Sequence, residues 1–414
     1  MSSCRSEKLA IDGGKMVRPK PFPPWPQFDR KTDRKVLEIL RSGRVNYWTG
    51  DVGRTFEAEF ARWLGVRNAV SVSSGTAALQ CALAALGIGA GDEVICPACS
   101  FIASSFCALQ VGALPVFVDV GADHLIDPTK IEAAITARTR AIVVVHLFGM
   151  VADMDPVLKL ARRHRLFVVE DCAQCIGGVY KGRKAGTLGT VGCFSFCQSK
   201  HFTTGGEGGM VCCNDDDLAW EVRSLRDHGY DRKHKRSVHR RIGYNFRMTE
   251  IQSAVGLGEL ARFDAWNLPR RKKLGRALVA GLAGHPLVKG LPVDTEARQS
   301  SFWLAPFVLD VAKLRVPAKR FVEAVQAEGV AAYAVRWTEM YAEEAFVARR
   351  GFGARDYPFG DAANRRIDYS EVRCATAHAL RDATIAFWTH PTYTLREVAA
   401  DIRAFRKVAA AYMK

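Results

Sequence analysis

The sequence predicts an α/β protein: a large domain with a mostly parallel sheet flanked by helices, followed by a smaller C-terminal α/β domain. Between about residues 56 and 171, short apolar segments alternate with helical ones, which is typical of a parallel sheet covered on both faces. The chain also has 414 residues, more than one small core supports. We therefore predict an N-terminal arm at 1–52, a large domain at 53–269 and a small domain at 270–414.

The elements of the large domain follow from apolar runs and from residues that start or stop helices. Gly87 and Gly112 end two helices, and Asp127 followed by Pro128 opens another. The predicted strands are 69–73, 93–96, 115–120, 141–147, 166–170, 191–196 and 210–213. The predicted helices are 56–64, 75–86, 102–111, 128–135, 156–163, 218–225 and 248–260.

The two ends of the chain have different patterns. The arm is rich in proline and aromatic residues, with a helix at 32–40 and a glycine-punctuated segment after it. The small domain contains a strand at 302–309, helices at 318–328 and 395–412, and a glycine-rich aromatic loop at 351–360. We find no internal repeat.

Composition and charge limit the function classes. Nearly half of the residues are hydrophobic and a quarter are charged, which is ordinary for a globular enzyme. No apolar run is long enough to span a bilayer, and the N-terminus lacks the apolar core of a secretory signal. We therefore expect a cytoplasmic protein with no membrane partner.

The net charge is +16, and the most basic stretch is 232–241 (RKHKRSVHRR). It carries no interleaved aromatic residues and no nucleic-acid motif, so we expect no nucleic-acid partner. Two interpretations stay open: a solvated loop, or a loop that attracts phosphate or carboxylate groups near an active site.

Twelve cysteines include two CxxC pairs, Cys96–Cys99 and Cys172–Cys175. The pairs are too far apart in the chain for a zinc ribbon. We expect them to be buried, reduced and apolar in role, with no metal site.

Residues 73–79 (SSGTAAL) lie at a predicted strand-to-helix turn. Gly75 allows close approach of the backbone to a ligand, and Thr76 begins a helix whose N-terminus can bind phosphate. A plain helix cap explains the same residues.

Residues 170–174 (EDCAQ) put two acids at the end of an apolar strand. Buried carboxylates are costly without partners. A pyridinium nitrogen is one such partner for Asp171, since an acid there keeps a cofactor ring protonated. The alternative is a helix-capping aspartate.

Residues 194–209 (FSFCQSKHFTTGGEGG) place Lys200 between apolar residues and a glycine-rich turn. A desolvated lysine is nucleophilic towards an aldehyde. Ser195, on the preceding strand, is a candidate phosphate ligand. A phosphate-type turn, an acidic pair and then a lysine, in this order, is the layout of a fold-type-I enzyme that uses pyridoxal 5'-phosphate (PLP).

Six segments in fixed order resemble the DegT/StrS-type sugar aminotransferases, a PLP fold-type-I family. They lie between about residues 53 and 260 and include VSVSSGTAALQCAL, LFVVEDCAQCIGG, GCFSFCQSKHFTTGGEGGMV and GYNFRM. The resemblance implies that 53–269 is the PLP-binding domain. A branch of the family that replaces the lysine by histidine performs deoxygenation, so Lys200 favours transamination.

The resemblance also implies roles for individual residues. Lys200 would be the Schiff-base lysine and proton shuttle, and Asp171 would pair with the pyridine nitrogen. Asn245 would reach the phosphate of a neighbouring subunit in a homodimer with shared active sites. The other implied cofactor contacts are Gln174 and Phe101 at the ring and Gly75, Thr76 and Ser195 at the phosphate.

By the same resemblance, the reaction would pass an amino group from L-glutamine or L-glutamate through pyridoxamine 5'-phosphate to a keto-cyclitol or keto-sugar. The arm and the segment SGRVNYWTG resemble the branch that aminates keto-inositols in aminoglycoside pathways. A nucleotide-sugar aminotransferase, a non-transaminating dehydratase or synthase of the same family, and a non-catalytic regulator or basic nucleic-acid binder are the alternatives.

Overall fold

The computed structural model describes residues 7–231, 233, 238–335 and 339–414. In these ranges the strands are β1 (Asn68–Val72), β2 (Glu93–Pro97), β3 (Leu114–Val118), β4 (Thr139–Val145), β5 (Phe167–Asp171), β6 (Val179–Tyr180), β7 (Arg183–Lys184), β8 (Val191–Ser195), β9 (Gly209–Cys213), β10 (Val288–Gly290), β11 (Arg298–Gln299), β12 (Leu304–Leu309), β13 (Ala332–Ala334) and β14 (Thr384–Trp388).

The α-helices of the same ranges are α1 (Arg30–Ser42), α2 (Val52–Leu64), α3 (Gly75–Ala85), α4 (Ala103–Gln110), α5 (Pro128–Ile131), α6 (Met154–His164), α7 (Asp216–Arg226), α8 (Glu250–Arg262), α9 (Leu268–Leu282), α10 (Ala318–Ala327), α11 (Glu344–Val347), α12 (Ala375–Arg381) and α13 (Leu395–Tyr412).

The large sheet has the order β1-β9-β8-β5-β4-β2-β3. Strand β9 is antiparallel to both of its neighbours, and the remaining pairings are parallel. The prediction of a mostly parallel sheet flanked by helices is confirmed. Because β2, β4, β5 and β8 are parallel, their carboxyl ends meet at one edge, where the ligand site of such a sheet lies.

Helix boundaries differ from the prediction where tertiary contacts satisfy the helix end. Helix α2 begins at Val52 and not at residue 56, because the Glu250 carboxylate accepts hydrogen bonds from the backbone N–H groups of Val52 (2.7 Å) and Gly53 (2.9 Å). These donors would otherwise lack partners in a first helical turn. The predicted helix 128–135 is α5 followed by a 3-10 turn, Glu132–Ala134.

The small domain is built on the antiparallel sheet β10-β12-β14-β13. Its apolar core joins this sheet to α9, α10 and α13 and includes Leu9 from the arm. Phe346 and Tyr369 instead pack into the core of the large domain. The predicted limits of the three parts stay a prediction, and α9 runs across the limit at 269/270.

No helix in the described part of the chain is long and apolar enough to cross a membrane.

Each described cysteine is free, and all of them except Cys197 are buried. Burial raises the pKa of the Cys99 and Cys175 thiols to about 12, so these groups stay protonated near neutral pH. This agrees with the expectation of small apolar core residues.

Of the basic stretch 232–241, positions 232 and 234–237 lie outside the described residues. Three described members pair with helix α7: Lys233 with Asp217, Arg241 Nη2 with Glu221 Oε2 at 2.6 Å, and Arg240 Nη1 with Glu221 Oε1 at 3.9 Å. Part of the positive charge is therefore balanced on the surface of the large domain.

Candidate active site

A cavity of about 500 Å³ lies at the carboxyl edge of the large sheet. Its walls come from the turn between β1 and α3, from the segments after β2, β5 and β8, and from the small domain. Seven of the eight predicted site residues line it: Gly75, Thr76, Phe101, Asp171, Gln174, Ser195 and Lys200.

Lys200 follows β8, and its Nζ lies 4.4 Å from the centre of the Trp303 ring. Trp303 Nε1 donates a hydrogen bond to Ser199 O (2.6 Å), which holds the indole beside the lysine. Among the described residues, no carboxylate lies within ion-pair distance of Lys200. Burial lowers the pKa of Lys200, and the charge of Asp171 opposes this shift. The neutral, nucleophilic amine is therefore easier to form here than for a lysine in water.

Asp171 ends β5 and is held by two donors. Ser104 Oγ donates to Oδ2 (2.7 Å), and Ala173 N donates to Oδ1 (3.0 Å). Ser104 Oγ is in turn 3.0 Å from Ser100 Oγ. All of these groups lie in or beside the cavity wall, so the carboxylate has a fixed orientation at the edge of the sheet.

Glu170 points to the other face of the same strand, as successive strand residues do. Its carboxylate faces His146 Nε2 (2.9 Å) and accepts three backbone hydrogen bonds, from Gly186, Leu188 and Gly189. His146 Nδ1 accepts from Ala152 N (3.2 Å). His146, Glu170 and Cys172 lie close enough to hold a metal ion, but these hydrogen bonds already occupy the histidine and the carboxylate. Glu170 therefore has a structural role, and Asp171 is the member of the acidic pair that lines the cavity.

The turn before α3 is both a helix cap and an anion cradle. Ser74 Oγ accepts from Ala77 N (3.1 Å), which is the capping role considered for this motif. A Cβ placed on Gly75 would lie 2.6 Å from Ser195 Cβ, so only glycine lets the helix N-terminus approach that strand end. The free N–H groups of such a terminus and the hydroxyls of Thr76 and Ser195 suit a phosphate.

Phe101 and Gln174 complete the cavity wall. The Phe101 side chain is 55 % exposed, although large aromatic residues are usually covered. Gln174 is buried, and its Oε1 accepts from Phe148 N (3.1 Å). A planar ring in the cavity would cover Phe101. Together with a free amine, an oriented carboxylate and a phosphate cradle, this fits PLP.

Asn245 is the predicted residue that this cavity does not include. It is exposed and forms an isolated antiparallel bridge with Asp227. Its predicted contact is with a neighbouring subunit, which stays a prediction.

Sequence reasoning missed several cavity residues. No sequence motif marks Ser104, which is one residue of a predicted helix. Trp303, Tyr333 and Trp388 come from the small domain, far along the chain from the motifs. The aromatic segment 387–393 (FWTHPTY) lies outside the motifs that carry the family resemblance, and its position at the cavity depends on the packing of the two domains.

The chain matches the sequence model of the DegT/DnrJ/EryC1/StrS aminotransferase family over residues 26–368. The protein belongs to this family. Its members depend on PLP, and the residues of the cavity fit that cofactor. The resemblance drawn from the sequence motifs and the fold-type-I prediction are both confirmed.

Similar proteins act on different acceptors. GDP-perosamine synthase from Caulobacter vibrioides is 45% identical over 254 residues, which cover 60% of this chain and 67% of that protein. L-glutamine:2-deoxy-scyllo-inosose aminotransferase from Streptomyces lividus is 42% identical over 292 residues, covering 67% and 68%. The crystal structure of the aminotransferase from Psychrobacter cryohalolentis has a TM-score of 0.85 at 35% identity, covering 94% of this chain and 99% of that one. This protein is therefore an aminotransferase of the sugar and cyclitol type.

Proposed function

We propose that this aminotransferase moves the amino group of L-glutamine or L-glutamate to the carbonyl carbon of a keto-cyclitol or keto-sugar in the biosynthesis of a secondary metabolite such as an aminoglycoside. The observation that carries the proposal is the cavity in which Lys200 and Asp171 lie together at the edge of the sheet. Similarity to an L-glutamine:2-deoxy-scyllo-inosose aminotransferase supports the donor and the acceptor class.

The residues of the cavity divide the work. Gly75, Thr76 and Ser195 would bind the phosphate of PLP, and Phe101 and Gln174 would contact its ring. When bound, PLP supplies an electron sink for the bond broken at the amino-bearing carbon. Each of these contacts orients the cofactor and does not itself react.

Lys200 and Asp171 are the two residues to which we assign the handling of protons. Lys200 Nζ, whose pKa is lowered by burial, would take up the proton from the amino-bearing carbon of the donor. Asp171, oriented by Ser104 and Ala173, holds the proton of the ring nitrogen. In the second half-reaction Lys200 would give a proton to the former carbonyl carbon of the acceptor, which leaves as an amine.

A nucleotide-linked keto-sugar is the second candidate acceptor, because the chain is also similar to GDP-perosamine synthase. The two acceptors share a ring ketone and differ in the nucleotide. A side-by-side assay of 2-deoxy-scyllo-inosose and a nucleotide-linked keto-sugar separates them.

The proposal includes a homodimer with shared sites in the cytoplasm. Its support in this chain is Asn245, which is exposed and outside its own cavity. Mixing a Lys200→Ala subunit with an Asn245→Ala subunit tests it. Activity above that of either variant alone requires a site with Lys200 from one protomer and Asn245 from its partner.

The experiment that tests the function is a spectroscopic titration of the PLP-loaded enzyme with L-glutamine and then L-glutamate, without acceptor. We expect the yellow colour of the lysine-bound cofactor to fade while the absorbance of pyridoxamine phosphate rises. An enzyme that stays yellow with both amino acids, or that turns the acceptor over with no amino donor, contradicts the proposal and favours a dehydratase or synthase.

A further inference from the structure

Three aromatic side chains of the small domain form one side of the cavity, which we call the aromatic wall: Trp303, Tyr333 and Trp388. The Trp303 and Trp388 rings meet edge to face at 5.5 Å, and Tyr333 lies 6.0 Å from Trp388. The wall stands beside Lys200, whose Nζ is 4.4 Å from the Trp303 ring centre. The predicted cofactor residues line the rest of the same cavity. The wall is therefore an apolar surface of the cavity to which we assigned no cofactor contact.

Two further aromatic rings, His390 and Trp25, extend a stack that begins at Trp388. His390 stacks on Trp388 at 4.9 Å with 17° between the planes, and Trp25 stacks on His390 at 5.7 Å with 15° between the planes. Trp25 belongs to the N-terminal arm and does not line the cavity. The arm thus contacts the aromatic wall through a stack of three nearly parallel rings.

The stack has a neutral ring at its centre and packs against Arg271 at its outer end. Burial lowers the pKa of His390 well below its usual range, so its ring stays neutral between its neighbours. The Arg271 guanidinium lies 5.2 Å from the Trp25 ring centre and pairs its Nε with Asn267 Oδ1 (2.8 Å). A substitution at Trp25 would therefore alter the position of the Trp388 ring through His390, although Trp25 itself would not touch a ligand.

We propose that the aromatic wall binds the apolar face of the acceptor ring, and that Trp25 and His390 are positioning residues for Trp388. This deepens the proposed function and rests on it. Cyclitols and sugars carry axial C–H groups on a ring face and hydroxyls on the edge, and the negative face of an indole attracts such C–H groups. Burial of that apolar area adds to the binding. The amino donor, an open-chain amino acid, has no such face.

The first test replaces Trp388 with alanine in the PLP-loaded enzyme and follows the return from the pyridoxamine form with two ketones. 2-Oxoglutarate has no ring, whereas 2-deoxy-scyllo-inosose has one, and both undergo the same proton transfer. We expect Trp388→Ala to raise the KM for the ring ketone about tenfold, equivalent to ~1.4 kcal/mol. The return with 2-oxoglutarate and the rate of the donor half-reaction stay within about threefold of wild type. Trp388→Phe, which keeps a ring, restores most of the affinity for the ring ketone.

The second test addresses positioning. Trp25→Ala removes the outer ring of the stack, and we expect the same rise in KM for the ring ketone with kcat nearly unchanged, and rescue by Trp25→Phe. The matched control is Phe28→Ala, which removes an exposed aromatic side chain three residues further along the same arm. The control variant keeps the wild-type KM. A Trp25→Ala enzyme with wild-type KM overturns the positioning role.

The outcomes separate this inference from the proposed function. If wild type uses 2-deoxy-scyllo-inosose or a nucleotide-linked keto-sugar, but Trp388→Ala slows the ring ketone and 2-oxoglutarate equally, the wall does not recognise the ring and the inference falls. If wild type returns with 2-oxoglutarate and with neither ring ketone, the proposed acceptor class is wrong, and the wall as a sugar or cyclitol surface falls with it.

Discussion

The hydrogen bond from Ser104 to Asp171 offers a sharp test of the site, because a matched residue lies beside it. Ser104 and Ser105 are neighbours in α4 and both are buried. Ser104 Oγ donates to Asp171 Oδ2 at 2.7 Å, whereas Ser105 Oγ donates to the backbone oxygen of Ile102 at 3.1 Å. Alanine at either position removes one hydroxyl from the same helix. Only Ser104→Ala removes a hydrogen bond to Asp171, which lines the cavity.

The structure sets the expected size of the effect. A hydrogen bond to a charged group contributes about 1.5–3 kcal/mol, and a barrier increase of that size slows a step about tenfold to hundredfold. This is an upper limit, since any part of the loss that is shared by the ground state and the transition state does not change the rate constant. We expect Ser104→Ala to slow the donor half-reaction by up to this amount and Ser105→Ala to stay within about threefold of wild type.

The assay is stopped-flow absorbance of the PLP-loaded enzyme mixed with L-glutamine or L-glutamate. The PLP content and the far-UV circular dichroism of both variants are compared with wild type first, so that a loss of fold or cofactor is not read as a slow step. Equal rates for Ser104→Ala and Ser105→Ala would refute the reasoning. Asp171→Ala sets the lower bound: it should retain some cofactor and show almost no half-reaction.

Three further predictions concern other parts of the molecule. Lys200→Ala should abolish both the yellow colour and turnover, and an active, colourless variant would show that the lysine has been misassigned. Gly75→Ala should weaken PLP binding by about 1–3 kcal/mol, because its Cβ would meet Ser195 Cβ at 2.6 Å; a titration of apoenzyme with PLP measures this, and an unchanged affinity would exclude the close approach. Burial raises the pKa of Glu259 to about 7, against the charge of Arg262. A raised pKa means that the folded state binds the proton more tightly, so the contribution of Glu259 to stability is fully present below pH 4.5 and is lost as the pH rises through about 7, by about 3 kcal/mol in total. Urea unfolding at several pH values should show that Glu259→Gln has a flatter pH dependence than wild type over this range, and parallel curves would count against the shift.

The arrangement of the site explains why some residues could be predicted and others could not. Gly75 and Lys200 follow strands of the large, mostly parallel sheet and Asp171 ends one of them. Parallel topology brings such strand ends together at one edge. Their order along the chain was therefore enough to place them in one cavity. The same reasoning gave no role for Glu170, whose carboxylate faces His146 and accepts hydrogen bonds from backbone N–H groups between β7 and β8. It also gave no reason for Ser104 to reach Asp171.

The sequence by itself determined the fold class and the family, and it predicted seven residues that line one cavity, because apolar periodicity and short motifs are local properties of the chain. Only the tertiary structure decided which small-domain side chains reach the cavity. Trp303 directly precedes β12 and Trp388 ends the paired strand β14. Packing between the domains brings the Trp303 ring centre to 4.4 Å from Lys200 Nζ. Trp25 meets His390 across more than three hundred residues of chain. Such contacts depend on how layers pack and on which buried groups find partners, and no local pattern in the chain records them.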